Sequence, residues 1–224
     1  MITFVKKEIK TLVKENYHHS DLKSDLIKKG LKILVAEGYE GFSLRKVARD
    51  CGVSQTAPYR HFKNKDELVL AIAQEAISKF NEVLQCAVDK YPDDSQSQLK
   101  EMGYAYIEFF VKNPEYLHLI FLSDKNKLFG GQKEFMDNNG CLEALERTGS
   151  PFGTFYKTVE RYYKEGNNND NTSMTLEELL LYCWGLVHGI SILISRNEFP
   201  IGSDTLTLAR KMIWNKLFSD LKAR

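Results

Sequence analysis

Apolar residues return every three or four positions through most of the chain, in long segments separated by short breaks carrying Gly, Asn or Pro. This is the helical period, and it predicts an all-α protein. Leu22, Leu26, Leu31 and Leu34 share one face of a first helix that Ser20 can cap and that runs to Glu37, with Gly38 as its stop. Ser43 can cap a short second helix, Leu44–Asp50, in which Leu44, Val47 and Ala48 recur at i, i+3 and i+4. Cys51-Gly52-Val53 makes a break, and Ser54 can cap a third short helix ending near His61-Phe62. A long helix follows from about Lys65 to Lys90, ended by Pro92. Further helices are predicted at Gln96–Lys112, Glu115–Leu122, Lys133–Lys164 with a break near Gly149-Ser150-Pro151, Leu176–Arg196 and Asp204–Leu221. Lys125–Gly131 and Gly166–Ser173 read as loops.

Charge divides this pattern into two parts. Residues 1–65 hold 14 Lys/Arg against 7 Asp/Glu, whereas the rest of the chain holds 17 against 23. A basic segment ahead of an acidic body suits a phosphate-binding module joined to a body that does not bind phosphate, although a solvated charged face has the same composition. Lys6, Lys7, Lys10 and Lys14 form a basic arm over residues 1–16 that either follows DNA or is a solvated extension. Cys51, Cys86, Cys141 and Cys183 are far apart and make no C-x-x-C pair, which points to a reducing, cytoplasmic setting. The most continuous apolar stretch, Leu179–Ile194, contains His188 and reads as shorter than a bilayer span, so no membrane partner is expected.

The span from Ser43 to Phe62 has the layout of a helix-turn-helix. Two short helices crossing steeply need a tight turn, for which Gly52 can take a positive φ, while Val53 fills the space between them and Ala48 lets them approach. A helix that enters a major groove by its N-terminus needs short polar residues first, and Ser54, Gln55 and Thr56 stand there. Gln and Thr reach base edges. Tyr59, Arg60, His61 and Lys65 are then placed to contact phosphates, which position a protein without reading sequence. Pro58 falls near the first helical turn, where a missing N–H costs least.

Tyr17-His18-His19, Gly-Phe-Ser-Leu-Arg-Lys-Val-Ala from Gly41, and Gly-Val-Ser-Gln-Thr-Ala-Pro-Tyr-Arg-His-Phe-Lys-Asn-Lys-Asp-Glu-Leu from Gly52 together resemble the DNA-binding domain of the tetracycline-repressor (TetR) family. A weaker resemblance lies in Trp184-Gly185-Leu186-Val187-His188-Gly189, which is similar to the Trp…His-Gly (WHG) signature of one group of C-terminal domains in that family. The resemblance implies a DNA-binding domain over 17–66 and a helical effector-binding and dimerisation domain over 67–224. It also implies a ligand-responsive repressor that binds a pseudo-palindromic double-stranded DNA operator as a homodimer, with Ser43 and Arg45 on phosphate, Gln55 and Thr56 on bases, and Tyr59, His61 and Lys65 gripping phosphates.

Candidates in the C-terminal body rest on pattern. Its dense aromatics suit an apolar pocket for a small-molecule effector of unknown identity, with Tyr104, His118, Phe121 and Tyr156 as the expected contacts, although aromatics at helical spacing are more often core. Gly185 and Gly189 at i, i+4 permit close approach of another helix. With Trp184, and with Ile213 and Leu217 from the stripe Leu206, Ala209, Ile213, Leu217 and Leu221, they are the expected dimer contacts. His118 and His188 are not at metal-ligand spacing from a cysteine, so no metal or cofactor is expected. No nucleophile elbow, phosphate loop or carboxylate dyad supports an enzyme, and none is expected.

Overall fold

The computed structural model describes residues 22–122, 149–167, 174–196 and 204–215, and no strand occurs among them. The chain divides into two compact units, Met1–Ile72 and Ala73–Arg224.

The first unit holds α1 (Leu22–Gly41), α2 (Leu44–Cys51), a 3₁₀ turn (Ala57–Arg60) and the opening turns of α3 (Lys65–Asp89). Along α1 the buried face is Leu26, Ile27, Leu31, Ile33 and Leu34. Gly38, at φ 69° and ψ 179°, breaks the helical path, so the residues up to Gly41 form a separate turn. Leu44, Val47 and Ala48 of α2 pack inward, joined in the core by Phe42, Phe62, Leu68 and Ile72. These apolar residues tie the elements into one body, and neither the eight-residue α2 nor the four-residue 3₁₀ turn would hold alone at such length.

The second unit holds the remainder of α3, α4 (Ser95–Lys112), α5 (Pro114–Leu117) running into a π turn at His118–Leu122, α6 (Pro151–Asn167), α7 (Leu176–Ser195) and α8 (Thr205–Asn215). Asp94 caps α4, accepting from the Ser97 backbone N–H at 2.9 Å. Thr175 and Glu178 cap α7 reciprocally. α4 is the central helix, with α6, α7 and α8 packed on it. Its Gly103 makes room for two of them at once, since a Cβ there would lie 3.4 Å from Val187 and 3.8 Å from Ile213. Glu101 is 5% exposed, and its carboxylate is met by Lys90 at 2.7 Å and Arg210 at 3.4 Å. A buried carboxylate persists only when so paired.

Several expectations change. Gly166 and Asn167 continue α6 instead of opening a loop. α7 extends to 20 residues and is, by length and composition alone, long and apolar enough to cross a membrane, contrary to the shorter stretch read from the sequence. It nevertheless sends Leu179, Cys183, Val187 and Ser191 into the helical core, as a core helix of the same composition does. The basic arm, Ser20, the loop Lys125–Gly131, the helix expected from Lys133 up to residue 148, Cys141 and Leu217 lie outside the described residues.

Candidate functional site

Ser43 is the N-cap of α2, its Oγ accepting from the Lys46 backbone N–H at 3.3 Å. At the other end Gly52 takes φ 70°, a conformation that costs a residue with a Cβ about 1–2 kcal/mol. Its N–H bonds Arg49 O, and that of Val53 returns to Ala48 O at 3.0 Å. The reversal that a helix-turn-helix needs is therefore set by hydrogen bonds within the turn. Lys29 reaches from α1 to Asp50 O, which fixes the end of α2 against the first helix.

The element after the turn differs from the expected helix. Gln55 and Thr56 lie in a turn, only Ala57–Arg60 is regular, and it is 3₁₀. The reason is Pro58. Were Ser54 the cap, its carbonyl would need the Pro58 N–H as the first i→i+4 partner, and proline has none. The carbonyl instead accepts from Ala57 N–H at 3.0 Å, and Thr56 becomes the N-cap with Pro58 in the first turn. The Ser54 hydroxyl, expected to cap, shares a 3.2 Å bond with the Thr56 hydroxyl.

Arg45, Ser54, Gln55, Thr56, Tyr59, Arg60 and His61 are all exposed, Tyr59 at 52%. In a 3₁₀ turn residues three apart eclipse, so Thr56 and Tyr59 project on one side. Pro58 and Phe62 of the same segment are buried. Lys65 is the exception to this exposure. It is half-buried, its ammonium stands 3.8 Å above the Tyr39 ring, and it donates to Tyr39 O at 3.3 Å. Tyr39 donates its hydroxyl to Asp66, and burial together with that carboxylate pushes its pKa up to about 12. Tyr39, Lys65 and Asp66 thus clamp the first turn of α3 to the end of α1. The Asn64-x-x-Glu67 spacing signals the same helix start: Asn64 Oδ1 accepts from Glu67 N–H at 2.9 Å, and Glu67 accepts from Lys63 N–H at 2.6 Å.

The second unit contains a cavity of about 260 Å³. Phe80, Tyr106, Phe121, Phe152, Phe155 and Trp184 form its aromatic wall, with Ile77 and Leu84 of α3 on one side. Of the four expected contacts only Phe121 lines it. Tyr104 lies two positions from Tyr106 and so on another face of α4, where Arg210 packs 4.5 Å over its ring. His118 is exposed at the start of the π turn, and Tyr156 is half-buried on α6 beside Phe155, the residue that faces the cavity.

The expected dimer contacts also separate. Ile213 is fully buried against Gly103, because the Leu206, Ala209, Ile213 stripe faces the core of its own unit. Trp184 packs on Phe152 at 5.1 Å between ring centres. Gly185 and Gly189 have no neighbouring atom within 4 Å of an added Cβ. Beside these glycines on α7 stand Leu181, 76% exposed, and Leu193, while Leu208 and Met212 are exposed on α8. Among the described residues no three His, Cys, Asp or Glu side chains group as a metal site. Cys183 is buried, and burial pushes its thiol up to about 12.

An all-helical fold carrying this capped turn and polar projecting segment is that of a helix-turn-helix DNA-binding protein. Residues 26–72 match the family described as "Bacterial regulatory proteins, tetR family". An HTH-type transcriptional regulator of Staphylococcus aureus is 29% identical over 104 residues, 46% of this chain and 55% of that protein. The uncharacterized HTH-type transcriptional regulator YerO of Bacillus subtilis is 24% identical over 102 residues, 45% of this chain and 35% of that protein. The aligned stretch thus spans about half or less of these relatives' length. Among solved structures, a tetR-family regulatory protein from Rhodococcus has a TM-score of 0.58 at 19% identity, covering 87% of this chain and 94% of that one. The regulator FadR of Bacillus subtilis, solved with stearoyl-CoA, has a TM-score of 0.60 at 13% identity, covering 90% and 98%. At such identities these likenesses establish a shared fold.

Proposed function

We propose that the chain is a ligand-responsive transcriptional repressor that binds a pseudo-palindromic operator as a homodimer. The observation that carries the reading is the exposed polar set Arg45, Gln55, Thr56, Tyr59 and Arg60, held by a core of Val47, Ala48, Pro58 and Phe62 around the Gly52 turn. Gln55 and Thr56 read base edges, while Ser43, Arg45, Tyr59, Arg60 and His61 hold phosphates. Two copies are needed because one short reading element spans only a few base pairs, and two half-sites about 34 Å apart place both copies in successive major grooves. Leu181, Gly185, Gly189 and Leu193, four residues apart along one face of α7, support a helical dimer face, since contiguous exposed apolar surface marks an interaction site, and Leu208 and Met212 are likewise exposed one turn apart on α8.

Responsiveness is supported by the apolar cavity in the second unit and by a neighbour of the same fold solved with an acyl-CoA. α3 contributes its first turns to the DNA-binding unit and Ile77, Phe80 and Leu84 to the cavity wall. A ligand that prefers one position of this helix biases the DNA-binding state by that difference in affinity. The cysteine usage and the DNA partner together support a cytoplasmic location. Selection of bound fragments from genomic DNA tests the reading. It predicts recovery of inverted repeats bound by two protomers, and recovery of sequences without symmetry, bound by one, would overturn it.

A further inference from the structure

Trp184 and His188 lie at i and i+4 on α7 and converge on one hydroxyl from α4. Tyr106 shares a 2.9 Å hydrogen bond with His188 Nδ1, and the Trp184 indole acts on the same tyrosine, opposing the rise that burial gives its pKa. Phe121 closes the group edge-on, with its ring centre 4.8 Å from that of His188. Tyr106 and Trp184 line the cavity, and His188 is joined to it through the Tyr106 hydroxyl. The Trp-Gly-Leu-Val-His-Gly segment therefore faces two ways: its Trp and His turn toward Tyr106, while its two glycines face open space.

The wall has a definite chemistry. Its described residues carry no charged side chain, and their only polar side-chain groups are the Tyr106 hydroxyl, the Trp184 indole N–H and Ser150, whose Oγ already accepts from Gly153 N–H at 2.9 Å. Burial holds His188 below the usual histidine range and Tyr106 above the usual tyrosine range. The same surroundings thus penalise a positive charge on one group and a negative charge on the other, and a ligand bearing either sign would meet that penalty.

We propose that Trp184, Tyr106 and His188 are the polar recognition point of a site for an uncharged, mainly apolar small molecule that occupies the aromatic cavity. The inference rests on the reading of the second unit as effector-binding and names the chemistry of the effector. The ligand's apolar body packs on Phe80, Phe152 and Phe155, and one hydrogen-bonding group replaces or joins a link of the triad. A ligand that breaks the Tyr106–His188 bond changes how α4 and α7 are tied, which gives it a preference between two states.

The site is tested without DNA, and DNA affinity is measured afterwards only to separate the site from the regulatory reading. The full chain is titrated with N-phenyl-1-naphthylamine, which is neutral, with its anionic relative 8-anilino-1-naphthalenesulfonate, and with tetraphenylphosphonium as a lipophilic cation competing against the neutral probe. The neutral probe is expected to bind at least about tenfold more tightly than either ion and to draw energy transfer from Trp184 that Trp184→Phe reduces to the contribution of Trp214. Tyr106→Phe keeps the ring and is expected to weaken the neutral probe about three- to tenfold. Ile77 lines the cavity at 44% exposure, so Ile77→Glu tolerates its carboxylate and is expected to shift preference toward the cation. Circular dichroism of each variant confirms that it is folded. Equal or tighter binding of either ion by the native chain overturns the ligand class. Neutral-probe binding unchanged in both Tyr106→Phe and Ile77→Glu overturns the site. Neutral-probe binding with the expected variant effects but no change in DNA affinity supports the site and counts against the regulatory reading alone.

Discussion

Around the turn of the first unit Val47, Ala48, Pro58 and Phe62 are buried while Arg45, Gln55, Thr56 and Arg60 reach solvent, whereas on α7 and α8 of the second unit the exposed side chains include Leu181, Leu193, Leu208 and Met212. The interiors differ as well. The first unit closes around fully buried Leu26, Leu34 and Leu68, while the second leaves a cavity of about 260 Å³ among aromatic rings. A polar projecting surface over a closed core suits a hydrated polyanion, whose contacts are hydrogen bonds and charge neutralisation. An apolar outer face over a hollow core suits contacts made by exclusion of water, with another protein copy outside and a small molecule within.

The largest expected effect comes from making the outer face of the second unit resemble that of the first. Leu181→Asp with Leu193→Asp should halve the particle mass measured by light scattering and weaken binding to a two-site duplex by about a hundredfold or more, because avidity between half-sites is lost. A dimer of unchanged mass would remove that face from the interface. Next comes Gln55→Ala, which should erase about 1–3 kcal/mol of discrimination at one base position. Tyr59→Phe should instead weaken binding to every duplex alike. Competition binding across single-base variants separates them, and equal losses on all duplexes for Gln55→Ala would contradict its reading role. In the turn itself, Gly52→Ala should lower the unfolding free energy by about 1–2 kcal/mol, since φ is 70° there. Chemical denaturation measures it, and an unchanged midpoint would mean that the turn relaxes freely. Ser43→Ala, which removes the α2 cap, should cost about 1 kcal/mol in the same assay.

The same contrast explains what could be read from the chain alone. The first unit is built from local rules, so Ser43, Gly52 and the Leu44, Val47, Ala48 face follow from spacing, and the structure has all three. Its error is local too: Pro58 is harmless counted from Thr56, but it removes the first bond of a helix counted from Ser54. Lys65 carries a charge suited to phosphate, and only the fold brings Tyr39 beneath it. In the second unit the outcome depends on which helix packs where. Tyr104 and Tyr106 are alike in sequence, and packing on α4 sends one under Arg210 and the other to the cavity. The Ile213 stripe has the period of an interface or of a core, and Gly103 on a distant segment makes it core. Trp184 and His188 were visible as a motif, yet their shared target lies on another helix.

Engagement of DNA by the first unit, through phosphates and bases around the Gly52 turn, is the proposal on which the rest depends. It is tested most directly by the affinity of the full chain for duplex DNA as a function of salt. The logarithm of the binding constant should fall linearly with the logarithm of salt concentration, with a slope of about −4 or steeper, and Arg45→Ala and Arg60→Ala should each reduce that slope by about one. A flat salt dependence, or a slope that neither substitution changes, would contradict it.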